Sequence, residues 1–419
     1  MKKLLLPLLI ILFSAAVSYP VLSIWRASSL SAGNPSKEYL LKATRLHSFN
    51  SDPYYKLGLL YQWEIGHIDL QESLRCFKEA IARNPLEQEF YLNLAKVLQR
   101  RGEAEAAENA LEKAILVFPN GYQGRWVTGT LLLQEGSLEK ALPHFTYILE
   151  NYPNQSDMVY DVLLKAIRDT GFILEKVVPR DASSMNQYVN YLYEIEDLDS
   201  AKKVWRRKAS WKIKNTRPET LRHIDFLIGH GDLIEAYQVW KIQLREEGLS
   251  ASSDGNLVVN GSFEKKETLG SGFDWKWLEV AGAETSIDDS LALDGIHSLK
   301  IAFDGKENVD FYHAYQFVPL DPNREYALNA YMKTRGITTR SGLGIEVIGV
   351  GAPLQVASEF LTGDNGWKKM IIPFRTPPGS QGVLVRIRRA KTDKLNRLIS
   401  GTAWLDEVSI TAKKLSSGY

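Results

Sequence analysis

Apolar residues recur every three or four positions from about residue 36 to 249 and every second position from about 256 to 412, so the chain changes period once. The first pattern predicts amphipathic helices and the second predicts half-buried strands. Within the helical part four columns repeat at 34 residues: Pro85, Pro119 and Pro153; Ser73, Ala107 and Ala141; Phe77, Leu111 and Phe145; Gly102 and Gly136. A shared period in independent columns marks a two-helix repeat. Small residues such as Ala95 and Ala107 let antiparallel helices approach, Gly102 allows the turn between them, and proline stops the second helix because it lacks an N–H. One hairpin alone leaves an apolar face bare, and stacking covers it.

In "EFYLNLAKVLQRRGEAEAAENALEKAILVFP", residues 89–119, these positions resemble the tetratricopeptide repeat. Three units are regular. The first, around Tyr54 to Pro85, has a longer internal turn. Two looser units carry the same phrase shifted by 35, "DLDSAKKVW" at 197–205 and "DLIEAYQVW" at 232–240, and the stretch at about 155–184 is degenerate. The resemblance implies a solenoid whose inner helices hold a protein or peptide partner. Repeat position nominates Tyr55, Gln62 and Trp63, then Lys96, Gln99 and Arg100, then Trp126 and Thr130 as groove residues. Inter-repeat packing is the competing role for Trp63 and Trp126.

After the polar stretch at 250–255, strands are predicted at "HSLKIAF", "YHAYQFV", "REYALNAYMKT", "GIEVIGV", "WKKMIIPF", "GVLVRIRRA" and "TAWLDEVSI", with "NLVVNGSFE" as the opening strand. Short strands with regular turns indicate an antiparallel sandwich. The order of "NLVVNGSFE", "LDGIHSLKI", "YQFVPLDPNREYALNAYMKT", "NGWKKMIIPF" and "WLDEVSI" resembles carbohydrate-binding modules of the family-four and family-nine type, across 256–412. That resemblance implies a jelly roll that binds polysaccharide, with Trp275, Trp277, Tyr312, Arg386 and Arg388 as candidate glycan contacts, and core or edge packing as the competing role for Trp275 and Trp277. It also implies a structural calcium ion between Glu264 and Asp406. Calcium takes six to eight oxygens, and hydrogen bonding at the strand ends is the alternative use of these carboxylates.

The N-terminus places Lys2 and Lys3 before an apolar run of 22 residues from Leu4 to Trp25. The segment 1–25 therefore reads as an export signal, cut after Ser18, or as an uncleaved membrane anchor, with the positive end in the cytoplasm and the rest outside it. Lys plus Arg is 51 against 50 for Asp plus Glu, which supplies no field for nucleic acid. The single cysteine, Cys76, excludes an intrachain disulfide and any multi-thiolate metal site. No zinc helix, serine elbow or phosphate-cradling loop is present.

The expected architecture is multidomain: an N-terminal signal or anchor helix, an all-α tetratricopeptide-like solenoid over 36–249, a linker at 250–255, an all-β antiparallel jelly roll over 256–412 and a tail at 413–419. The expected function is an exported, non-enzymatic adaptor in the bacterial periplasm, tethered to the inner membrane, joining a protein partner to a cell-surface polysaccharide. A protein–protein scaffold is the alternative, and a polysaccharide lyase or hydrolase the lesser one.

Overall fold

The computed structural model describes residues 2–33, 35–66, 68–247, 255–266 and 269–413, with the side chains of 2–12 and 15–17 left undescribed. The chain divides into two compact units, Met1–Ile213 and Lys214–Tyr419.

The first unit is helical. It begins with α1 (Lys2–Ser31) and α2 (Lys37–Leu46). Hairpins follow: α3 (Asp52–Trp63) with α4 (Leu70–Arg83), α5 (Gln88–Arg100) with α6 (Ala104–Val117), and α7 (Tyr122–Gln134) with α8 (Leu138–Asn151). After a 3₁₀ turn come α9 (Ser156–Ile167), the short α10 (Thr170–Lys176), α11 (Ala182–Glu194) and α12 (Leu198–Ser210). The degenerate stretch is thus still a helix pair, shortened in its second helix. Pro85, Pro119 and Pro153 each stand two residues beyond a helix end, as their missing N–H requires. Gly102 and Gly136 adopt φ of +78° and +77° at the turns, a region costly for a side chain. Ala95, Ala107 and Ala141 are buried where helices approach, and Ser73 Oγ donates to the Gly58 carbonyl at 2.7 Å across the first hairpin. Cys76 is buried as a small apolar residue, and burial pushes its thiol up to about 11.

The end of α1 belongs to this packing. Ala27 and Ser31 are buried, and Lys56 Nζ donates to the Ser31 carbonyl at 2.6 Å. Among the described residues no helix is long and apolar enough to cross a membrane, and most of the side chains of the expected anchor at 1–25 lie outside the described residues.

The second unit opens with another hairpin, α13 (Arg217–Gly229) and α14 (Leu233–Glu246), so the last repeat-like pair packs with the strands. The linker at 250–255 falls outside the described residues except for Gly255, as does the tail beyond Lys413. Among the described residues ten strands follow: β1 (Lys276–Trp277), β2 (Ala283–Asp288), β3 (Ser298–Asp304), β4 (Ala314–Pro319), β5 (Glu325–Ile337), β6 (Gly344–Val350), β7 (Gln355–Ala357), β8 (Gly363–Arg375), β9 (Gly382–Arg388) and β10 (Ser400–Ala412). They form two five-stranded antiparallel sheets, β1-β4-β9-β6-β7 and β2-β3-β10-β5-β8. Tyr326, Leu328, Ala330 and Met332 of β5 and Val383, Val385 and Ile387 of β9 enter the shared core, as their alternation requires. The first sheet ends in strands of two and three residues, which blunts both of its edges.

One expected strand is absent. "NLVVNGSFE" forms turns and bends rather than a ladder, because Asn260 and Phe263 adopt φ of +48° and +58°. Gly261 also lies so close to β10 that a Cβ there would sit 1.9 Å from the Val408 carbonyl. Two backbone bonds to β10, from Leu257 N to the Ile410 carbonyl and from Val408 N to the Gly261 carbonyl, hold the segment together with side chains. Asn256 accepts from Ile410 N and donates to the Val408 carbonyl, and the Gln316 amide brackets Val259 with two hydrogen bonds of 2.9 and 2.8 Å.

Candidate functional site

The inner helices of the solenoid bring the groove residues into two clusters. In one, Arg100 on α5 donates to the Gln62 carbonyl at 2.8 Å and lies over the Trp63 ring at 5.2 Å. Trp63 is 59% exposed, so its face is offered to solvent. In the other, the buried Asn93 donates to the Tyr55 hydroxyl and accepts from Lys96 Nζ at 3.2 Å. Burial drives the Lys96 pKa down, while Glu89 works against that shift.

Other nominated residues serve the scaffold. Tyr55 packs on Phe77 and Phe90, and the Gln62 side chain is fully buried, which removes it from any partner's reach. Gln99 donates to the Leu131 carbonyl and so links α5 to α7. Trp126 is half-buried between Tyr122 and Phe145, and the Thr130 hydroxyl is spent on its own helix at the Trp126 carbonyl.

In the sandwich, the nominated tryptophans provide no open platform. Trp275 is 1% exposed and lies against Phe263 in the core, so it cannot stack on a sugar. Trp277 is half-buried against the same core, and β1 is too short for the two to share one strand face. The other three gather on the first sheet. Tyr312 is 44% exposed, with its ring stacked on His313 at 4.4 Å and the Arg386 guanidinium 5.6 Å from its centre. Arg386 donates to Glu346 at 2.7 Å across the β9–β6 register, and Gln355 donates to the other Glu346 oxygen at 2.6 Å. Burial opposes the Glu346 charge, but the hydrogen bonds from Gln355 and Arg386 hold its pKa below the usual carboxylate range. Arg388 donates to Asp310 at 2.5 Å and to the Phe311 and Arg389 carbonyls. Both guanidinium groups are therefore fixed before any ligand arrives.

The first sheet also receives the α13–α14 hairpin. The Asp225 carboxylate accepts from Ser271 Oγ, from Gly272 N at 2.9 Å and from Lys276 Nζ at 2.6 Å. Trp240 is buried against Phe273, and Gln381 accepts from Leu233 N at 2.8 Å. Nothing local in the sequence marks Asp225, because its partners lie 46 to 51 residues away.

Glu264 and Asp406 both grip the loop at 289–297. Glu264 Oε1 accepts from Ile296 N and His297 N, each at 3.0 Å, and Oε2 faces His297 Nδ1 at 3.2 Å. Asp406 is fully buried and accepts from Leu293 N at 2.8 Å, Asp294 N and Glu407 N. Among the described residues no group of three or more His, Cys, Asp or Glu is arranged to hold a metal ion, and calcium would need further oxygens from loop carbonyls beside these two carboxylates. Their oxygens are engaged by backbone amides and, at Glu264 Oε2, by the His297 ring.

The tetratricopeptide repeat family matches residues 67–108 and 92–156. No curated protein is similar enough to count as a match. Among solved structures, MamA is 25% identical over 28% of this chain and 68% of its own, with a TM-score of 0.26. A family 16 carbohydrate-binding module is 20% identical over 37% of this chain and 99% of its own, with a TM-score of 0.27. The CBM22-1 xylan-binding domain of Paenibacillus barcinonensis Xyn10C is 17% identical over 40% of this chain and 100% of its own, with a TM-score of 0.27. The sandwich is assigned from its own strands and register. The chain carries tetratricopeptide repeats, matched across residues 67–156, and closes with an all-β antiparallel sandwich.

Proposed function

We propose that this chain is a non-enzymatic adaptor. Its solenoid holds a segment of a protein partner and its sandwich holds a glycan, on the outer side of a bacterial inner membrane during cell-surface polysaccharide assembly or export. The reading is carried by the union, in one chain, of tetratricopeptide repeats with a sandwich that presents a half-exposed tyrosine beside two fixed guanidinium groups. An aromatic face covers the apolar side of a pyranose, and pre-fixed donors meet hydroxyls at low entropic cost. On the solenoid, the exposed Trp63 backed by Arg100 offers an anchor for an apolar partner side chain.

Affinity electrophoresis of the full chain through gels containing neutral and acidic polysaccharides tests the glycan half, with Tyr312→Ala as the comparison. Unchanged mobility in every gel removes it. Release of reducing ends from any of these polysaccharides by the purified protein removes the non-enzymatic part.

A second reading, a protein scaffold whose sandwich docks a partner, is favoured by a separate observation. The first sheet already accepts protein, through Asp225, Trp240 and Gln381.

A further inference from the structure

The outer face of the second sheet carries a group of cations set apart from the first sheet. In register, Trp404 on β10 has Lys300 of β3 on one side and Lys333 of β5 on the other. Two strand spacings separate those lysines, about 10 Å. Arg335 stands two residues beyond Lys333 and lies over the Trp404 ring at 5.7 Å. Lys369 of β8 pairs with Tyr331 and has its ammonium 5.9 Å from that ring. Among the described residues none of these four cations forms an ion pair. Carboxylates share the face: Glu284 on the edge strand, Asp288, which accepts from Trp404 Nε1 at 2.6 Å and from Ser290, the buried Asp406 opposite Tyr331 in register, and Glu325 at the start of β5, which pairs with Lys413. Polar groups lie between the charges, with Ser286 in the Lys300 row, Thr402 opposite Arg335, and Asn329 along β5.

We propose that this face binds an acidic polysaccharide, one whose carboxylates are spaced by whole sugars. The assignment rests on the glycan reading of the sandwich and gives it a ligand class and a second surface. Unpaired cations on a folded sheet repel one another, and a polyanion laid across β3, β10, β5 and β8 relieves that repulsion while displacing its own counterions. The spacing favours a sparse polyanion. Duplex nucleic acid carries a charge roughly every 1.7 Å of its axis, far denser than lysines about 10 Å apart, and the balanced total of 51 basic and 50 acidic residues adds no wider field. The interleaved hydroxyl and amide groups suit the hydroxyls of a sugar chain, and Tyr331 offers a ring edge beside Lys369.

The test uses the full chain and the triple variant Lys300→Gln, Lys333→Gln and Lys369→Gln, with sodium polygalacturonate as the probe. No hydrogen bond of these lysine side chains is seen among the described residues, so the variant should melt with the parent. The parent should be retarded by polygalacturonate, less so as sodium chloride rises, and the variant should bind at least tenfold more weakly. Equal binding by the variant overturns the proposal. So does parent binding to duplex DNA or to phosphatidylglycerol vesicles as tight as to polygalacturonate at the same salt. If the parent is retarded by neutral xylan but not by polygalacturonate, this assignment falls and the glycan reading stands. If neither polysaccharide retards it, both fall.

Discussion

Replacing Asp225 by Ala should detach the α13–α14 hairpin from the strands beneath it. The carboxylate accepts three hydrogen bonds, one of them from a lysine whose side chain is only 13% exposed, while Asp225 itself is 39% exposed. Each hydrogen bond to a charged group contributes about 1.5–3 kcal/mol, without simple additivity. Losing the partner of a largely buried charge costs about 3–5 kcal/mol. Discounting for the exposure of Asp225 gives about 3 kcal/mol, or roughly a 150-fold rise in the open population at 1.4 kcal/mol per decade. Amide hydrogen exchange of the full chain should therefore accelerate by about two decades in peptides covering 217–246 and 271–277. Peptides from β5 and β10 should keep parental rates. Because much of the loss is the stranded ammonium, Asp225→Ala combined with Lys276→Met should recover part of it. Less than a threefold change over 217–246, or acceleration spread evenly through the sandwich, would refute the idea that Asp225 is the local clasp.

Three further outcomes can be checked independently. Trp240→Ala should cost the second unit about 3–5 kcal/mol in denaturant unfolding, and Trp205→Ala, at the same place in the repeated phrase but half-buried, should cost clearly less. Burial, together with the Arg125 guanidinium 3.5 Å from Nδ1, pushes His144 down to about 4; the unfolded chain then binds the extra proton, so helical stability should be complete above about pH 6.5 and fall toward pH 4. The loss, read by circular dichroism, should reach about 1–2 kcal/mol after allowance for partial exposure, and His144→Gln should flatten it. Chelation by EDTA should leave the melting temperature unchanged, whereas Glu264→Gln should speed exchange at Ile296 and His297, whose amides it holds.

The helical array was legible because its signal is local. Proline, glycine and alanine act within one hairpin, and their 34-residue columns record that geometry directly. The strand alternation was equally readable, from Tyr326 to Met332 and from Val383 to Ile387. What the sequence left open or misplaced depended on distant partners. Trp275 carries no mark that separates a core tryptophan from a sugar platform, and only Phe263 and the surrounding strands decide it. "NLVVNGSFE" alternates well enough for a strand, but Gly261 meets the Val408 carbonyl, and Gln316 and Asn256 hold the segment beside only two backbone bonds, contacts 57 to 152 residues away. The cationic face was invisible because Lys300, Lys333 and Lys369 sit on three strands and meet only through register.

The phrase "DLxxA" builds the same capped helix twice, with Asp197 and Asp232 each accepting a backbone amide at the helix start, yet the second copy serves the strands. Dissection of this protein therefore has a natural cut that composition conceals. A fragment begun at 256 keeps every strand but strips the cover from Phe273, Lys276 and Gln381, leaving an apolar patch and an orphaned ammonium where neighbouring molecules can associate. Begun at Lys214, it carries its own lid, and any sugar binding measured on it belongs to the sandwich as it stands in the whole chain.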